Sequence, residues 1–489
     1  MKLTDFFENV PEIEIKSLMD DSRKKRPESI FFCIKGYVND GHDYIDQAIE
    51  NGAIVIVHSE PIENPNSDIT YIKVKDVIHV FNQVADSFYD YPSHKLTMYG
   101  VTGTSGKSSI ACIIKDILNH IEPTGYVGTL SVEYNNVKLP PLLMSPNIDE
   151  LHGILHDMVD AGIQSCAYEV SSVSIEQGKV DAIDFDVAIF TNLTQGHLDY
   201  HGTMANYFHA KKKMFDQLKE DAVAIVNVDD PSGMKIAQDT NAKVVTYGID
   251  HEADYRVTDY HILKDSIHFT LRVDEKEYRI ETNLIARFNI YNLVGAIAAL
   301  HQKGLAIETI AQYTNQLHQV EGRMQRIKDG QPFNLIVDFA HTPDGIEQVC
   351  QYASSITAKE NRIIAITGSV GKRDTMKRPI FGEILDRYCD MIILTEDDDR
   401  GENVREIAED IAKGIHHTNY IIIEDRYDAI RQSVELCSSN DTILILGKGD
   451  EKFMYREFGR EPYEGDDVIC HEVLKKYYFG DEGGLDETE

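Results

Sequence analysis

The strongest chemical signal in the chain is Gly103-Thr104-Ser105-Gly106-Lys107-Ser108-Ser109, set between an apolar run and a helical pattern. Backbone N–H groups of such a turn, backed by a helix N-terminus, cradle phosphate oxygens. Lys107 can reach outer phosphates and the Ser108 hydroxyl can ligate Mg²⁺, so the loop predicts nucleotide binding, although the strict pattern asks for glycine at Val101. Glu169, in Tyr168-Glu-Val-Ser171-Ser, ends another apolar run and offers a hard oxygen ligand. Thr191-Asn-Leu-Thr-Gln-Gly-His197-Leu-Asp199-Tyr-His201 gathers two histidines and an acid directly after a third run, which favours a site. His209-Ala-Lys211-Lys-Lys213, taken alone, reads as a basic helix face. Three later strings also follow strand-like runs: Asp338-Phe-Ala-His341-Thr-Pro343, Asp397-Asp-Asp-Arg400 and Gly447-Lys-Gly-Asp450-Glu451. The four acids Glu396–Asp399 read as a solvated loop, while Arg400 beside them suggests ion-pair recognition of an amino acid.

Strands alternating with helices must position these residues. Ser29–Ile34, Ala53–His58 and Thr70–Val74 read as strands in a first piece, with a helical stretch at Asp43–Asn51 and a polar, Pro-bearing linker at Tyr89–His94. Leu96–Val101, Ser165–Val170, Asp186–Phe190 and Ala222–Val228 form a second set. There Ile110, Ile113, Ile114, Ile117 and Leu118 mark the buried face of a helix. Leu335–Phe339, Arg362–Thr367, Met391–Thr395, Tyr420–Ile423 and Thr442–Leu446 form a third. The rhythm predicts an α/β protein with mostly parallel sheets covered on both faces, whose ligands gather at strand carboxyl ends. Three domains follow: 1–94, 95–325 with a central P-loop-type sheet, and 326–489 of Rossmann-like type. The acidic tail from Gly480 reads as disordered.

Composition narrows the function. With 48 Lys+Arg against 82 Asp+Glu the formal charge is −34, which disfavours nucleic acid and anionic lipid as partners. No apolar run approaches a membrane span and no signal peptide opens the chain. The seven cysteines have no CxxC spacing and read as small buried hydrophobes in a reducing compartment, so the expectation is a soluble cytoplasmic protein.

In this order the motifs resemble those of the Mur ligase family, the MurE type most closely, over nearly the whole chain. Asp21-Ser22-Arg23 and Asp40-Gly41-His42 resemble the uridine-nucleotide elements. The phosphate loop resembles GTNGKT, and the 191–203 string resembles NLTxDHLDxHGT. Arg287-Phe-Asn289-Ile-Tyr-Asn292 resembles the segment that packs on adenine. Gly322-Arg323 stands at the hinge, and 338–344 resembles DYAHTPD. The resemblance implies an ATP- and Mg²⁺-dependent ligase of peptidoglycan precursor synthesis, monomeric by family default. It would add an amino acid to UDP-N-acetylmuramoyl-L-Ala-D-Glu through an acyl phosphate. Lys107, Glu169, His197 and Lys211 become its catalytic set, with Ser108, Glu169 and His197 as metal ligands and Lys211 as a carbamylated lysine. Asn289, Asn292, Arg323, Asp338 and His341 join 103–109 around ATP. Ser22, His42, Ser145, Pro146, Ser171 and Lys179 face the acceptor; Asp397, Arg400, Gly447 and Glu451 face the amino acid.

Departures from the family pattern concentrate away from the phosphate loop. Met144-Ser145-Pro146-Asn147 replaces TTPE, Val173 replaces a histidine, Lys179 an arginine, Gly196 an aspartate and Asp450 a histidine. Asp398 and Asp399 stand where diaminopimelate-adding members carry Asn-Pro, and their charge suits a cationic amine better than a second acid. The changes at 144, 173 and 179 leave open a paralogue with a different carboxylate acceptor, and Gly196 a non-catalytic nucleotide-binding scaffold.

Overall fold

The computed structural model describes residues 1–36, 39–140 and 146–480. Met144, Ser145 and the tail past Gly480 lie outside the described residues. Three sheets carry the architecture. The first is parallel throughout, in the order β1 (Ser17–Met19), β2 (Ser29–Phe32), β3 (Ala53–His58), β4 (Thr70–Lys73). Strand alternation sends Ile30 and Phe32 to one face, against Phe81 and Val84 of the helix Val77–Phe88. Phe31 goes to the other, against Ile45 and Ala48. The stretch Tyr89–His94 is an ordered tight turn, not a loose linker: Tyr91 takes a left-handed conformation and His94 Nδ1 lies 3.0 Å from Asp184.

The second sheet has eleven strands. Its parallel centre comprises β5 (Thr97–Thr102), β6 (Thr124–Val127), β9 (Ser165–Glu169), β10 (Val187–Phe190), β11 (Val223–Asn227) and β12 (Lys243–Gly248). One antiparallel extension is β7 (Val132–Tyr134) and β8 (Val137–Leu139). The other is the meander β13 (Tyr255–Ile262), β14 (Ile267–Val273) and β15 (Lys276–Thr282). Neither extension was foreseen, because half-exposed strands on a sheet flank give a weaker apolar signal than fully buried parallel ones. β9 and β10 flank β5, with Val101 opposite Glu169 and Thr102 opposite Phe190. Three of the candidate motifs therefore leave the same sheet edge side by side. The helices Lys107–Leu118 and Phe288–Gln302 cover this centre with Ile110, Ile114, Leu293 and Ile297.

The third sheet runs β16 (Gln325–Arg326), β17 (Asn334–Asp338), β21 (Thr442–Leu446), β18 (Ile363–Thr367), β19 (Met391–Leu394), β20 (Asn419–Ile422), parallel except at β16. A hairpin, β22 (Phe453–Arg456) and β23 (Gly459–Pro462), follows the last loop. Ile285, Ala286 and Met324 pack into this sheet's core, so the join from the second sheet is an apolar one.

Candidate active site

The phosphate loop is fixed from beneath. Ser105 N–H donates to Asn192 Oδ1 (3.0 Å), and Thr191 Oγ1 donates to Ser105 O (2.7 Å). A Cβ on Gly103 would lie 1.8 Å from Thr191 Oγ1, so only glycine permits this approach. Thr194 N–H donates to Thr104 Oγ1 (3.0 Å). The 191–197 string is itself tied to the end of β11: Asn227 Nδ2 donates to Thr191 O (2.9 Å) and Leu193 N–H to Asp230 (2.9 Å). Asn227 and Asp230 are supporting residues the sequence reading missed. Their signal was an Asn-Val-Asp-Asp-Pro string at a strand end.

Two lysines, Lys107 half-buried and Lys211 buried, converge here. Lys107 Nζ donates to Thr104 O (2.9 Å) and Lys211 Nζ to Gly103 O (2.7 Å), the latter also 4.4 Å from the Tyr207 ring centroid. Burial lowers both ammonium pKa values. The neighbouring Lys107 charge drives Lys211 down further, while Glu169 pulls Lys107 back up. Lys211 is 1% exposed. Its neighbours diverge: Lys212 pairs with Asp216 and Asp239, and Lys213 with Asp181. The basic-face reading holds for those two and fails for Lys211.

Glu169 is buried and accepts from Thr129 N–H (3.1 Å) and Oγ1 (2.9 Å), both at Oε2. Among the described residues Oε1 accepts no hydrogen bond, so it can face a cation. His197 is neutral, its pKa pushed down to about 3 by burial, then by Lys107 and Lys211. His201 Nε2 sits 2.9 Å from Ser172 Oγ and joins the second string to the third, and Ser171 caps the same short helix. Ser108 is buried in the first turn of its helix. Among the described residues no three His, Cys, Asp or Glu side chains form a metal cluster.

From the third sheet, Asp338 accepts from Met324 N–H and Ala340 N–H (both 2.7 Å) and fixes the turn that carries His341. His341 is held neutral by burial, then by Lys377, whose Nζ donates to His341 O (2.9 Å), and by His197. Lys377 is a buried cation that carried no signal in the sequence. Arg323 stacks 4.1 Å over Phe339 and reaches Asp450 (3.3 Å). A Cβ on Gly322 would meet Asp450 N at 2.1 Å, so the hinge rests directly on the 447–451 loop. Asn289 and Asn292 are buried and bonded to each other (2.8 Å), with Asn292 Oδ1 against Gly106; they brace the phosphate loop. Gly196 lies between Thr104 and Thr342, where a Cβ would make ordinary contacts of 3.4 and 4.0 Å.

The amino-acid candidates also meet, but not as a solvated loop. Asp397 and Asp398 are each 4% exposed. Asp398 accepts from the buried Lys448 Nζ (2.7 Å), and Arg456 pairs with Asp399 and with Glu396 (2.7 Å). Asp398 and Asp399 thus each have a cationic partner within the protein. Asp397 crowds Gly447, where a Cβ would lie 2.8 Å from Oδ2. Glu451 is raised to about 7 by burial, against the pull of Lys448. Arg400 is left uncommitted: its nearest carboxylate oxygen is 3.9 Å away and its buried Nε has no partner among the described residues.

The acceptor candidates are more dispersed. Lys179 Nζ donates to Asn147 Oδ1 (3.0 Å), next to Pro146. It lies in a charged seam between the first two sheets, where Lys24 pairs with Glu150 and Arg26 with Asp149. Asp20, in that seam, is raised to about 6 by burial and by Asp149. Ser22 Oγ donates to Gln47 (2.7 Å). His42 is a structural clasp: Nδ1 donates to Asp40 (2.6 Å) and Nε2 accepts from Ser59 N–H (3.1 Å), so neither ring nitrogen is open to a ligand.

Residues 14–89 match the family description "Mur ligase family, catalytic domain", 101–300 "Mur ligase middle domain" and 322–449 "Mur ligase, glutamate ligase domain". A relative from Halalkalibacterium halodurans, named UDP-N-acetylmuramoyl-L-alanyl-D-glutamate--2,6-diaminopimelate ligase, is 36% identical over 95% of each chain. One from Clostridium acetobutylicum, with the same name and the suffix 1, is 37% identical over 95% of this chain and 96% of its own. A solved structure of a ligase of that name superposes with a TM-score of 0.69 at 26% identity, covering 98% of this chain and 99% of the other. Agreement over the full length, through all three sheets and the shared sheet edge, makes this chain a member of the Mur ligase family.

Proposed function

We propose that the protein is an ATP-dependent amide ligase of peptidoglycan precursor synthesis. It would join a diaminopimelate-type amino acid to UDP-N-acetylmuramoyl-L-Ala-D-Glu in the cytoplasm, as a monomer. The observation that carries this reading is the convergence of Lys107 and the buried Lys211 on the phosphate loop, at Thr104 O and Gly103 O, beside Glu169 and neutral His197 at one sheet edge. Lys107 has no carboxylate hydrogen-bonded to it among the described residues, which favours an anion arriving there.

The chemistry follows. A carboxylate is a poor electrophile. Its oxygen attacks the γ-phosphorus of ATP, ADP leaves, and the acyl phosphate carries a good leaving group. The incoming amine then attacks the acyl carbon, loses a proton, and the C–O bond to phosphate breaks. The backbone of 103–109 and Lys107 hold the phosphates in line. Ser108, Glu169 and His197 would hold Mg²⁺, which would supply charge neutralisation. Burial, then the Lys107 charge, lower the Lys211 pKa and so favour its neutral amine, the form that takes up CO₂ as a carbamate and would place an oxygen anion beside the metal ligands.

At the amino-acid end, Asp398 and Asp399 have internal cationic partners while Arg400 has none within hydrogen-bonding reach. This favours a substrate with a second carboxylate, in line with the names of the relatives, and reverses the inference from acid count alone. Lys179 in place of arginine supports a second reading, the same chemistry on another carboxylate acceptor, because lysine cannot bind a carboxylate bidentately.

The test is phosphate release from Mg²⁺-ATP with UDP-N-acetylmuramoyl-L-Ala-D-Glu and, in turn, meso-diaminopimelate, L-Lys and L-Orn, with product mass. Release with meso-diaminopimelate is the expected outcome. Release with L-Lys alone would overturn the amino-acid assignment. Silence with all three, from protein that binds ATP, would favour the second reading.

A further inference from the structure

The hairpin β22–β23 has no part in the reaction as described, yet it holds the one uncommitted guanidinium of the amino-acid end. The Arg400 guanidinium lies 4.4 Å from the Tyr455 ring centroid. Arg400 N–H donates to Tyr455 O (3.0 Å), and Tyr455 N–H donates to Asp398 Oδ1 (3.0 Å). The ring is held from the opposite strand by Arg460, whose Nε donates to Tyr455 Oη (2.8 Å) and whose guanidinium lies 4.9 Å from the same ring. Arg400 itself adopts a left-handed backbone, φ 51°, which only a well-braced loop retains.

We infer that Tyr455 is a positioning residue for amino-acid selection: its ring face orients the Arg400 guanidinium so that the planar fork meets the substrate's second carboxylate. The inference rests on the proposed ligase activity and on Arg400 as its carboxylate contact. A bidentate fork discriminates only when its plane is fixed, and an aromatic face fixes that plane without consuming the outer N–H donors. The hydrogen bonds that Tyr455 itself makes to the 398–400 loop come from its backbone, so a side-chain change there leaves them in place.

The experiment measures KM for meso-diaminopimelate and for ATP, with thermal midpoint, in wild type, Tyr455→Phe, Tyr455→Trp and Tyr455→Leu. Tyr455→Ile, which suits a strand, replaces the leucine variant if that fails to fold. The expected result is a rise of about tenfold in the amino-acid KM for the aliphatic variant, with ATP KM unchanged. Its preference for meso-diaminopimelate over L-Lys falls by a similar factor, and both aromatic variants stay near wild type. An aliphatic variant with the wild-type amino-acid KM overturns the inference. So does one in which both KM values rise together, or a phenylalanine variant as impaired as the aliphatic one. A wild type with no amino-acid-dependent release overturns the ligase reading itself, and the inference with it.

Discussion

The nucleotide end and the amino-acid end hold charge in opposite ways. At the nucleotide end neither Lys107 nor Lys211 has a carboxylate hydrogen-bonded to it among the described residues, and His197 is held neutral. At the amino-acid end four acids have cationic partners: Asp398 and Glu451 share Lys448, and Glu396 and Asp399 share Arg456. The first arrangement leaves a field for a polyanion to satisfy. The second builds a cross-linked frame and leaves the Arg400 guanidinium with no carboxylate within hydrogen-bonding reach. Unmatched buried charge serves where the ligand is highly charged, and matched charge serves where a small substrate must be told from its neighbours.

The largest effect expected from this contrast is at Lys211. Lys211→Met removes the buried amine and should lower ligase turnover by at least about 100-fold, while the thermal midpoint stays level or rises because a polar group that is costly to bury is gone. A variant with full turnover in bicarbonate-free buffer would remove Lys211 from the chemistry. Next comes the frame. Lys448→Met strands Asp398, which is 4% exposed, and should destabilise the protein by about 3–5 kcal/mol in denaturant unfolding. A loss below about 1 kcal/mol would mean that the frame is not held by charge matching. Third, Arg400→Ala should raise the amino-acid KM by roughly 10- to 100-fold and leave the ATP KM alone. Equal rises in both would dissolve the distinction between the two ends.

The smallest effect is in pH. Glu451 is raised to about 7, so it gains charge as pH rises through neutrality. Its folded form binds more protons than its unfolded form between its ordinary 4.5 and about 7, so its contribution to stability is present at the acid side and declines as pH rises through that window. For an incoming amine the sense is opposite: the ionised carboxylate attracts it. The amino-acid KM should fall by roughly fivefold from pH 6 to pH 8, and Glu451→Gln should flatten that slope. His197, at about 3, predicts no matching inflection from that group in the ATP KM.

The nucleotide end was largely readable from the chain because its geometry is local. A strand, a glycine turn and a helix within 97–118 dictate an anion cradle wherever they occur, and fully buried parallel strands announce themselves as apolar runs. Lys211 was readable only through resemblance, since three lysines in a row give no sign which one turns inward. The amino-acid end was misread. Counting Asp398 and Asp399 as free charge ignored Lys448, fifty residues on, and Arg456, on a hairpin that the sequence did not reveal. His42 shows the same limit: it stands in a recognisable string, yet both its nitrogens are occupied by Asp40 and Ser59.

By itself, the sequence determined the strand–turn–helix units, the order of their motifs and hence the family, because these depend on apolar periodicity and on residues within one turn of each other. Only the tertiary structure decided which charges remain free. Whether a side chain is neutralised depends on partners brought within about 4 Å by sheet order and loop packing, and separation along the chain says nothing about that distance.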